Sequence, residues 1–466
     1  MNDTVTHSGL TEDLRACVGA SGLRLGDEIN TIDPGWNPDN LRARIFVAPA
    51  NTEEVAAVVR TCRRHKAPLV THGGRTGLVG GGISHPGEVI VSMHRMGCIE
   101  RLDPVERVAV VEAGVTLETL QRSAAEFGLE PGIDLAARGT ATLGGMASTN
   151  AGGVMAFRNG VMRHRILGIE AVMPDGTIMT DLTRIVKNAA GYDIKHLLIG
   201  AEGTLGIITK LAIRLDPLPP ATATAIFGCS SVASALNLVQ LALRVETGHL
   251  RAAEALWHSF INLTAKANNW SDNAFDLSRP VYLLVLLGGA EAGALSGELE
   301  KLYEKLLEID PDATGTIAQS AQQERSLWRL REDTDAVYRA HRFAPSYDVS
   351  IPLSEIETYV GRIRSLLQAL PRAFEPYIFG HIADGNLHII LNCEGPLNLE
   401  DMASVETVLY QDIRSLGGSF SAEHGVGSKR IHSLLSSVDP TKIRYMKAIK
   451  AAFDPDNLLN PGKVLP

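Results

Sequence analysis

The chain has few cysteines, and their positions exclude two common kinds of framework. The five cysteines among its 466 residues are scattered, odd in number and never in a CxxC pair: Cys17, Cys62, Cys98, Cys229 and Cys393. This pattern is typical of free thiols in a reducing compartment, and it argues against a disulfide scaffold or a Cys-ligated zinc.

Basic tracts and long apolar runs are also missing. With a net charge of −9 and no run of Lys or Arg, we expect no nucleic-acid partner. The most apolar run, Val281–Leu287, is far shorter than the roughly 20 residues that cross a bilayer. The first residues lack the basic start and apolar core of a signal peptide. We therefore expect a cytoplasmic protein without a transmembrane segment, and leave open a peripheral contact with a membrane.

The length and texture of the chain predict more than one domain. A chain of 466 residues is too long for one ordinary core. The proline-rich stretch Pro217–Pro220 marks a boundary between two textures. We predict an N-terminal arm over 1–40, a first domain over 41–220, an α+β domain over 221–420, and a closing segment over 421–466.

Local patterns predict individual helices. Asn51 followed by Thr-Glu-Glu is a capping pattern, and Val55, Val58 and Val59 are spaced to form one buried helix face. A second helix is predicted over Ala321–Tyr338. No internal repeat is found.

Glycine is concentrated in three stretches beside predicted strands: Thr71–Gly82, Thr142–Gly153 and Gly200–Thr209. The first has neither the GK[ST] ending of a P-loop nor the GxGxxG opening of a Rossmann unit. Glycine lets the backbone approach a ligand and present N–H groups to an anionic group such as a phosphate. Any one stretch is compatible with an ordinary glycine-rich turn. Three together favour a large polar cofactor held along its length.

Two histidines lie in a predicted hairpin. The strands Tyr377–Ile382 and Leu387–Leu391 are joined through Asp384-Gly385, a strong two-residue turn signal. Such a turn would place His381 directly opposite His388, with Cβ atoms roughly 4.5–5.5 Å apart. Two imidazoles so placed can share one metal ion.

A carboxylate and a further imidazole follow in the segment Ser421–Gly427, at Glu423 and His424. Two histidines and one carboxylate with an open position suit a catalytic divalent metal. The alternative, ordinary strand histidines and a Glu-His pair that merely precedes a glycine turn, stays open on these residues alone.

Several motifs in order give the chain a family resemblance from about Arg44 to Lys463. They are HGGRTGLVGGG (72–82), LGGMASTNAGG (143–153), GAEGTLGIIT (200–209), YDVSIP (347–352), GHIADGNLH (380–388), SAEHGVG (421–427) and NPGK (460–463). The sequence resembles the FAD-linked D-2-hydroxyacid dehydrogenases of the vanillyl-alcohol oxidase superfamily. That group includes D-lactate dehydrogenases, the glycolate oxidase flavin subunit and D-2-hydroxyglutarate dehydrogenase.

The resemblance implies an α+β fold and an activity. The fold would be a two-part FAD-binding domain of the vanillyl-alcohol oxidase (PCMH) type, with an inserted α+β substrate (cap) domain and a C-terminal helical segment. The activity would be FAD- and divalent-metal-dependent oxidation of a D-2-hydroxy acid to the 2-oxo acid. Electrons would pass to a quinone, a cytochrome or an electron-transfer flavoprotein, and a homodimer is left open.

The resemblance also implies which residues hold FAD, with the first glycine loop at the pyrophosphate and a strand over Glu202–Ile208 near the flavin. These are Gly73, Gly74, Arg75, Thr76, Gly77, Leu78, Pro131, Gly144, Gly145, Ser148, Thr149, Asn150, Gly153, Glu202, Gly206, Ile207, Ile208 and Asn460. Some superfamily members tether FAD through a histidine where this chain has Arg75, so non-covalent FAD is expected. His72 is a weaker candidate for a tether.

For the chemistry, the resemblance assigns His381, His388 and Glu423 as metal ligands and His424 as the base. Zinc is preferred on ligand type, with manganese or iron as alternatives. The implied substrate contacts are Arg331, Asn386, Tyr347 and Arg342. An arginine in a helix is otherwise usually a solvated surface residue.

The chain departs from relatives that act on D-2-hydroxyglutarate at two positions. Ser346 and Asp335 stand where those relatives commonly carry Lys and Thr. These two residues disfavour a dicarboxylic substrate, unless Arg339 or Arg342 binds the second carboxylate. They favour a monocarboxylic or differently substituted D-2-hydroxy acid, D-lactate being one candidate, while a D-2-hydroxyglutarate-like substrate stays open. The competing interpretations are a glycolate-oxidase-type subunit, a metallohydrolase and a non-catalytic FAD-binding scaffold. The glycine stretches argue against the hydrolase, and His424 argues against the scaffold.

Overall fold

A computed structural model describes residues 3–270 and 276–466, and the chain divides into two compact units. The first unit is assembled from three stretches of chain: Met1–Gly153, Asn159–Leu218 and Glu423–Pro466. The second contains the short stretch Val154–Arg158 and the long insertion Pro219–Ala422. The division falls inside the proline-rich stretch on one side and inside the SAEHGVG motif on the other.

The first unit carries the strands β1 to β11. Their bounds are Leu23–Leu25, Ile45–Val47, Leu69–His72, Val89–Ser92, Ile99–Asp103, Val108–Glu112, Leu129–Glu130, Ile166–Val172, Ile178–Asp181, Ile207–Arg214 and Asp216–Pro217. One sheet has the order β1-β2-β4-β3, with β2, β4 and β3 parallel. A second has the order β5-β6-β10-β8-β9 and is antiparallel. The short strands β7 and β11 pair with each other.

Helices α1 to α7 follow in the same part of the chain. Their bounds are Asp3–Val18, Thr52–His65, Leu117–Ala125, Leu143–Thr149, Ala156–Asn159, Met162–Arg165 and Lys195–Leu198. The predicted cap of α2 is confirmed: the Asn51 side chain accepts the Glu54 N–H at 2.9 Å. Val55, Val58 and Val59 are all fully buried, so the predicted face is the one that packs on the core.

The second unit is built on one antiparallel sheet of order β15-β12-β14-β13-β17-β18-β16. Strands β12 to β18 are Ala221–Cys229, Gly248–Trp257, Val281–Gly289, Thr314–Ile317, Ser346–Ser350, Pro376–His381 and Asn386–Leu391. Helices α8 to α14 are Val232–Ala242, His258–Ala267, Ala292–Ile309, Ala321–Glu332, Asp335–Ala340, Ile356–Gln368 and Leu399–Tyr410.

One face of this sheet packs against α9, α11 and α12. Apolar side chains such as Leu256, Phe379 and Ile390 share a buried cluster there with Phe260 of α9 and Leu330 of α11. Strands alternate their side chains between the two faces. His381 is two residues from Phe379, and His388 is two residues from Ile390. Both histidines therefore project from this same face, where apolar side chains give way to polar ones.

The chain returns to the first unit for helices α15, Ile431–Ser437, and α16, Pro440–Phe453. After α16, Leu459 forms a parallel bridge with Leu69 of β3. The last segment is thereby fixed beside the first glycine stretch. Among the described residues, no helix is both long and apolar enough to cross a membrane.

The register of the histidine hairpin differs from the prediction. His388 pairs with Phe379, and His381 pairs with Glu254 of β13 on its other side. The connection is longer than two residues, so the predicted pairing of His381 with His388 is wrong by two positions. A one-residue slip would have moved one histidine to the opposite face, but a two-residue slip preserves the face.

Two other predictions are corrected. The helix expected over Ala321–Tyr338 ends at Glu332 and restarts at Asp335, because the chain leaves helical conformation at Asp333 (ψ +60°). The strand expected over Glu202–Ile208 begins only at Ile207. Glu202 has a left-handed backbone with φ +52°, which a strand cannot contain.

Candidate active site

The glycine stretches of the first unit line a groove. Its cavity of about 330 Å³ is at the lower end of the range for small-molecule pockets. Of the predicted cofactor residues, those that line it are Gly73, Gly74, Arg75, Thr76, Gly77, Leu78, Gly144, Gly145, Ser148, Thr149, Gly153, Glu202, Gly206, Ile207, Ile208 and Asn460. Glu423 and His424 line the same groove.

Pro131 and Asn150 are not in the lining. The Pro131 carbonyl accepts a hydrogen bond from Arg165 Nε at 3.1 Å, and Asn150 Oδ1 accepts the Arg163 N–H at 3.0 Å. Asn150 is the left-handed residue that ends α4. Both residues therefore hold the walls together behind the groove.

Several glycines of the groove are required because neighbouring loops leave no room for a side chain. A Cβ on Gly74 would lie 1.9 Å from the Thr140 carbonyl oxygen, and one on Gly144 would lie 2.5 Å from Ala113 Cβ. The loops pack so closely that no side chain fits between them. Gly77 differs, since its added Cβ would have no protein atom within 4 Å. At Gly77 the space belongs to the groove, as expected where a backbone cradles a ligand.

Two buried acceptors in the groove wall lack donors. His72 Nε2 donates to the Gly82 carbonyl at 2.8 Å, so Nδ1 carries a lone pair, and burial lowers the pKa of His72 to about 4. Asn460 uses its Nδ2 on the carbonyls of Gly81 and Glu202, at 3.1 and 2.7 Å. In the described part of the chain, no donor reaches His72 Nδ1 or Asn460 Oδ1. Because unpaired buried acceptors are costly, they fit a ligand that brings its own N–H or O–H groups, as FAD does.

Glu202 orders the loop that carries His424. Its carboxylate accepts the N–H groups of Val426 and Gly427 at 2.7 and 2.8 Å. Burial raises the pKa of Glu202, and these two bonds oppose that rise. One oxygen of Glu423 in turn accepts the Gly153 N–H at 2.6 Å. The glycine stretches thus position the Glu423-His424 pair as well as the groove.

In the second unit, the structure brings His381 and His388 together. Their ring centroids are 5.4 Å apart, and each offers a nitrogen within 4.8 Å of one on the other. Both imidazoles are buried, with 5% and 9% exposure. Two imidazoles converging at this distance fit a shared divalent ion.

A buried carboxylate lies directly behind His381. Glu254 Oε1 accepts from His381 Nδ1 at 2.7 Å, and Oε2 accepts from Arg331 Nε at 2.6 Å. Burial would raise the pKa of Glu254, but its neighbours His381 and Arg331 outweigh burial and lower that pKa to about 2. Sequence reasoning missed Glu254. The available signal was a single acid inside the apolar run Ala252–Trp257.

The predicted substrate contacts occupy different places. Asn386 is on the same face as His388, two residues away, and its Nδ2 donates to the Val349 carbonyl at 3.1 Å. Its Oδ1 is buried without a donor among the described residues. Arg331 is buried rather than solvated, and its guanidinium stacks on Phe379 at 4.7 Å.

Tyr347 and Arg342 are placed less favourably. Tyr347 pairs with Ile389, so its ring projects from the sheet face opposite His388 and packs near Tyr410. Arg342 is exposed and lies over its neighbour Phe343. Neither side chain joins the group around His388.

The segment that leads to Glu423 is fixed to the second unit. The Ala422 N–H donates to Asp348 Oδ2 at 2.9 Å, and Asp348 lies opposite His388 in the pairing of β16 with β18. Ala422 is the last residue of this unit and Glu423 is the next in the chain.

Comparison with known proteins agrees with this architecture. Residues 43–182 match the FAD binding domain, and residues 218–464 match the FAD linked oxidases, C-terminal domain. A 4-ethylphenol oxidase from Gulosibacter chungangensis superposes with a TM-score of 0.75 at 18% identity, covering 99% of this chain and 97% of that one. p-Cresol methylhydroxylase gives 0.74 at 18% identity, covering 98% and 96%. These structures show the shared PCMH-type fold.

Sequence relatives are more similar. The mitochondrial D-2-hydroxyglutarate dehydrogenase of Arabidopsis thaliana is 35% identical over 425 residues, 91% of this chain and 75% of the relative. That of Rattus norvegicus is 33% identical over 429 residues, 91% and 78%. The D-2-hydroxyglutarate dehydrogenase of Stutzerimonas stutzeri is 31% identical over 471 residues, 99% of each chain.

The chain belongs to the FAD-linked oxidases. Within them it falls in the group of FAD-linked D-2-hydroxyacid dehydrogenases, as the motifs predicted, and it is an FAD-dependent oxidoreductase acting on hydroxy acids.

Proposed function

We propose that this enzyme oxidises a D-2-hydroxy acid to the 2-oxo acid with the help of one divalent metal ion. The observation that carries the proposal is the buried pair His381 and His388, which offer converging nitrogens with a carboxylate directly behind one of them. Nothing in flavin binding alone requires such a pair.

The ion would be held by His381, His388 and Glu423, with zinc first on ligand type and manganese or iron as alternatives. The tie between Ala422 and Asp348, beside His388, supports Glu423 as the third ligand, since it is the next residue. Such an ion supplies Lewis acidity, which lowers the pKa of a coordinated hydroxyl.

FAD fits the first-unit groove non-covalently, and when bound it supplies the hydride acceptor. Arg75 cannot form a histidine-type tether, and its Nε–H donates to the Asp33 carbonyl at 2.8 Å. His72 has a lone pair on Nδ1, which a hydrogen bond accepted from the cofactor would satisfy without a covalent tether.

His424 is the proposed base. It lines the flavin groove, follows the proposed ligand Glu423 directly, and is held by the loop that Glu202 orders. An imidazole near neutral pH can take the hydroxyl proton from the substrate.

Asn386 and Arg331 are the residues proposed to orient the substrate. Asn386 Oδ1 is a buried acceptor beside His388 that a substrate hydroxyl or amide-like donor would satisfy. Arg331 has its Nε–H on Glu254, so a carboxylate contact would use its Nη groups. Tyr347 is not proposed as a substrate contact, because its ring is on the opposite face of the sheet.

Fewer side chains are available to bind the second carboxylate of a dicarboxylic substrate than to bind the first. Arg339 donates to both oxygens of Asp333 at 3.0 and 2.8 Å, which leaves Arg342 as the exposed candidate. The relatives' names favour D-2-hydroxyglutarate, whereas Asp335 and Ser346 favour a monocarboxylic acid such as D-lactate. We propose that the substrate is a D-2-hydroxy acid. Assays with a panel of such acids will identify the side chain that the enzyme prefers.

The decisive experiment is anaerobic bleaching of the bound flavin by D- and L-2-hydroxy acids, with and without a chelator. We expect bleaching by one or more D-acids, loss of bleaching in metal-free protein and recovery when zinc or manganese is restored. Full bleaching of metal-free protein would contradict the metal's role. The reoxidation partner, a quinone, cytochrome or electron-transfer flavoprotein, can be assayed in the same cuvette. The scattered free cysteines support a reducing compartment such as the cytoplasm.

A further inference from the structure

Glu254 is a carboxylate with no exposed surface in the middle of a sheet. It lies on β13, where it pairs with His381 of β17, and its exposure is 0%. An acid buried this deeply is strongly disfavoured unless donors surround it. Both of its oxygens meet a donor, at 2.6 and 2.7 Å.

The two donors differ in what they can do. Arg331 comes from the end of α11, is 8% exposed and stacks on Phe379. A guanidinium can only donate. The carboxylate is therefore fixed from one side by a rigid, planar cation, and its other oxygen is directed at the His381 ring.

This arrangement determines the tautomer of His381. Because the carboxylate accepts at Nδ1, the proton of a neutral ring lies on Nδ1 and the lone pair on Nε2. Metal-binding histidines commonly donate their second nitrogen to a carboxylate, which fixes the ring and makes it a better ligand. A buried Arg–Glu pair alone would be weak evidence of any role, since such pairs often add little stability. The third member, His381, gives the pair a function.

We propose that Glu254, held by Arg331, is a positioning residue that fixes the His381 ring with Nε2 directed to the metal ion. The proposal rests on the proposed function, in which His381 is a metal ligand. It also gives Arg331 a role that the sequence did not suggest, as the support of a ligand in addition to any contact with substrate.

The first test is Glu254→Gln in the FAD-loaded enzyme. The amide has one acceptor and one donor side, while Arg331 and His381 both present donors. If its oxygen faces Arg331, its NH2 group faces His381 and drives the ring proton to Nε2. We expect zinc affinity, measured by competition with a chromophoric chelator, to fall 10–100-fold, with FAD content unchanged.

A matched control makes the same substitution elsewhere in this unit. Glu324 of α11 accepts from the Thr224 hydroxyl at 2.8 Å, and among the residues that the structure describes it bonds to no histidine. Glu324→Gln is expected to leave zinc affinity at the wild-type value. An equal loss in both variants would overturn the proposal.

A double variant guards against simple loss of folding. In Glu254→Leu with Arg331→Met, no buried charge of the pair remains and no side-chain oxygen is left at position 254 to accept from His381 Nδ1, and such apolar replacements are often neutral for stability. We expect a melting temperature near that of the wild type, while zinc binding stays weak. Wild-type zinc affinity in either Glu254 variant would show that Glu254 is only structural. Absence of metal binding by the wild type itself would instead overturn the proposed function, and the Glu254 role with it.

Discussion

The flavin groove of the first unit and the histidine-bearing sheet of the second are built in different ways. The groove is formed by backbone, with glycines that let loops such as 73–74 and 140–145 touch. The histidine group is formed by side chains from separate strands and a helix, with Glu254 and His381 127 positions apart. A site made of backbone leaves a continuous sequence motif, whereas a site made of side chains depends on strand register.

The largest expected effect is on the rate of flavin reduction, and it tests whether a residue that lines the groove takes part in the reaction. His424→Ala should leave FAD bound but slow flavin reduction by substrate by about 10²–10⁴-fold, the usual contribution of a general base. Stopped-flow bleaching measures the rate, and His432→Ala, an exposed histidine of α15, is the control. Undiminished bleaching would remove His424 from the proposal.

The next prediction separates the two regions. His388→Ala should lower metal content and activity together, by more than the roughly 10–100-fold expected for a supporting residue, and should leave FAD content unchanged. His341→Ala, in the same unit but bonded to Glu394 and Tyr377, should change neither. Loss of FAD from the His388 variant would show that the two regions are not chemically separate.

A third prediction concerns pH and the groove wall. Burial holds the pKa of His72 at about 4, below the unfolded value near 6.5, so the unfolded chain binds this proton first as the pH falls. Stability is therefore present above pH 6.5 and declines between pH 6.5 and 4, by up to about 3 kcal/mol from this residue. His72→Gln should make the free energy of unfolding less dependent on pH in that window. An unchanged pH dependence in urea titrations would argue against a buried neutral ring.

The smallest effect distinguishes two kinds of glycine. Gly74→Ala would clash with the Thr140 carbonyl and should lower stability by about 1–3 kcal/mol, the typical cost of overpacking. Gly77→Ala has open space, so the apoprotein should keep its melting temperature while FAD affinity falls. Equal melting temperatures for both variants would contradict the packing role of Gly74.

Of the eighteen residues that the sequence predicts to hold FAD, sixteen line the groove, and all sixteen lie within the motifs. Contact with a ligand, as the sequence indicates, explains the glycines of these motifs only in part, because Gly74 and Gly144 are needed for packing between loops. The histidine pair was found despite the wrong register, because a slip of two positions keeps both rings on one face. Glu254 left one signal, an acid inside an apolar run, but nothing local indicates that the strand Gly248–Trp257 pairs with β17 and brings that acid to His381.

The insertion Pro219–Ala422 ends between residues that are proposed to act in the same reaction. Ala422 is the last residue of one unit, and Glu423 and His424 open the final stretch of the other. A fragment covering 219–422 would contain His381 and His388 but lack Glu423, the proposed third ligand, and His424, the proposed base. The remaining chain would contain the glycine-lined groove, Glu423 and His424, but lack His381 and His388. On the proposed function, neither fragment holds the complete set of reacting groups, so a variant made to change substrate preference has to keep both of them.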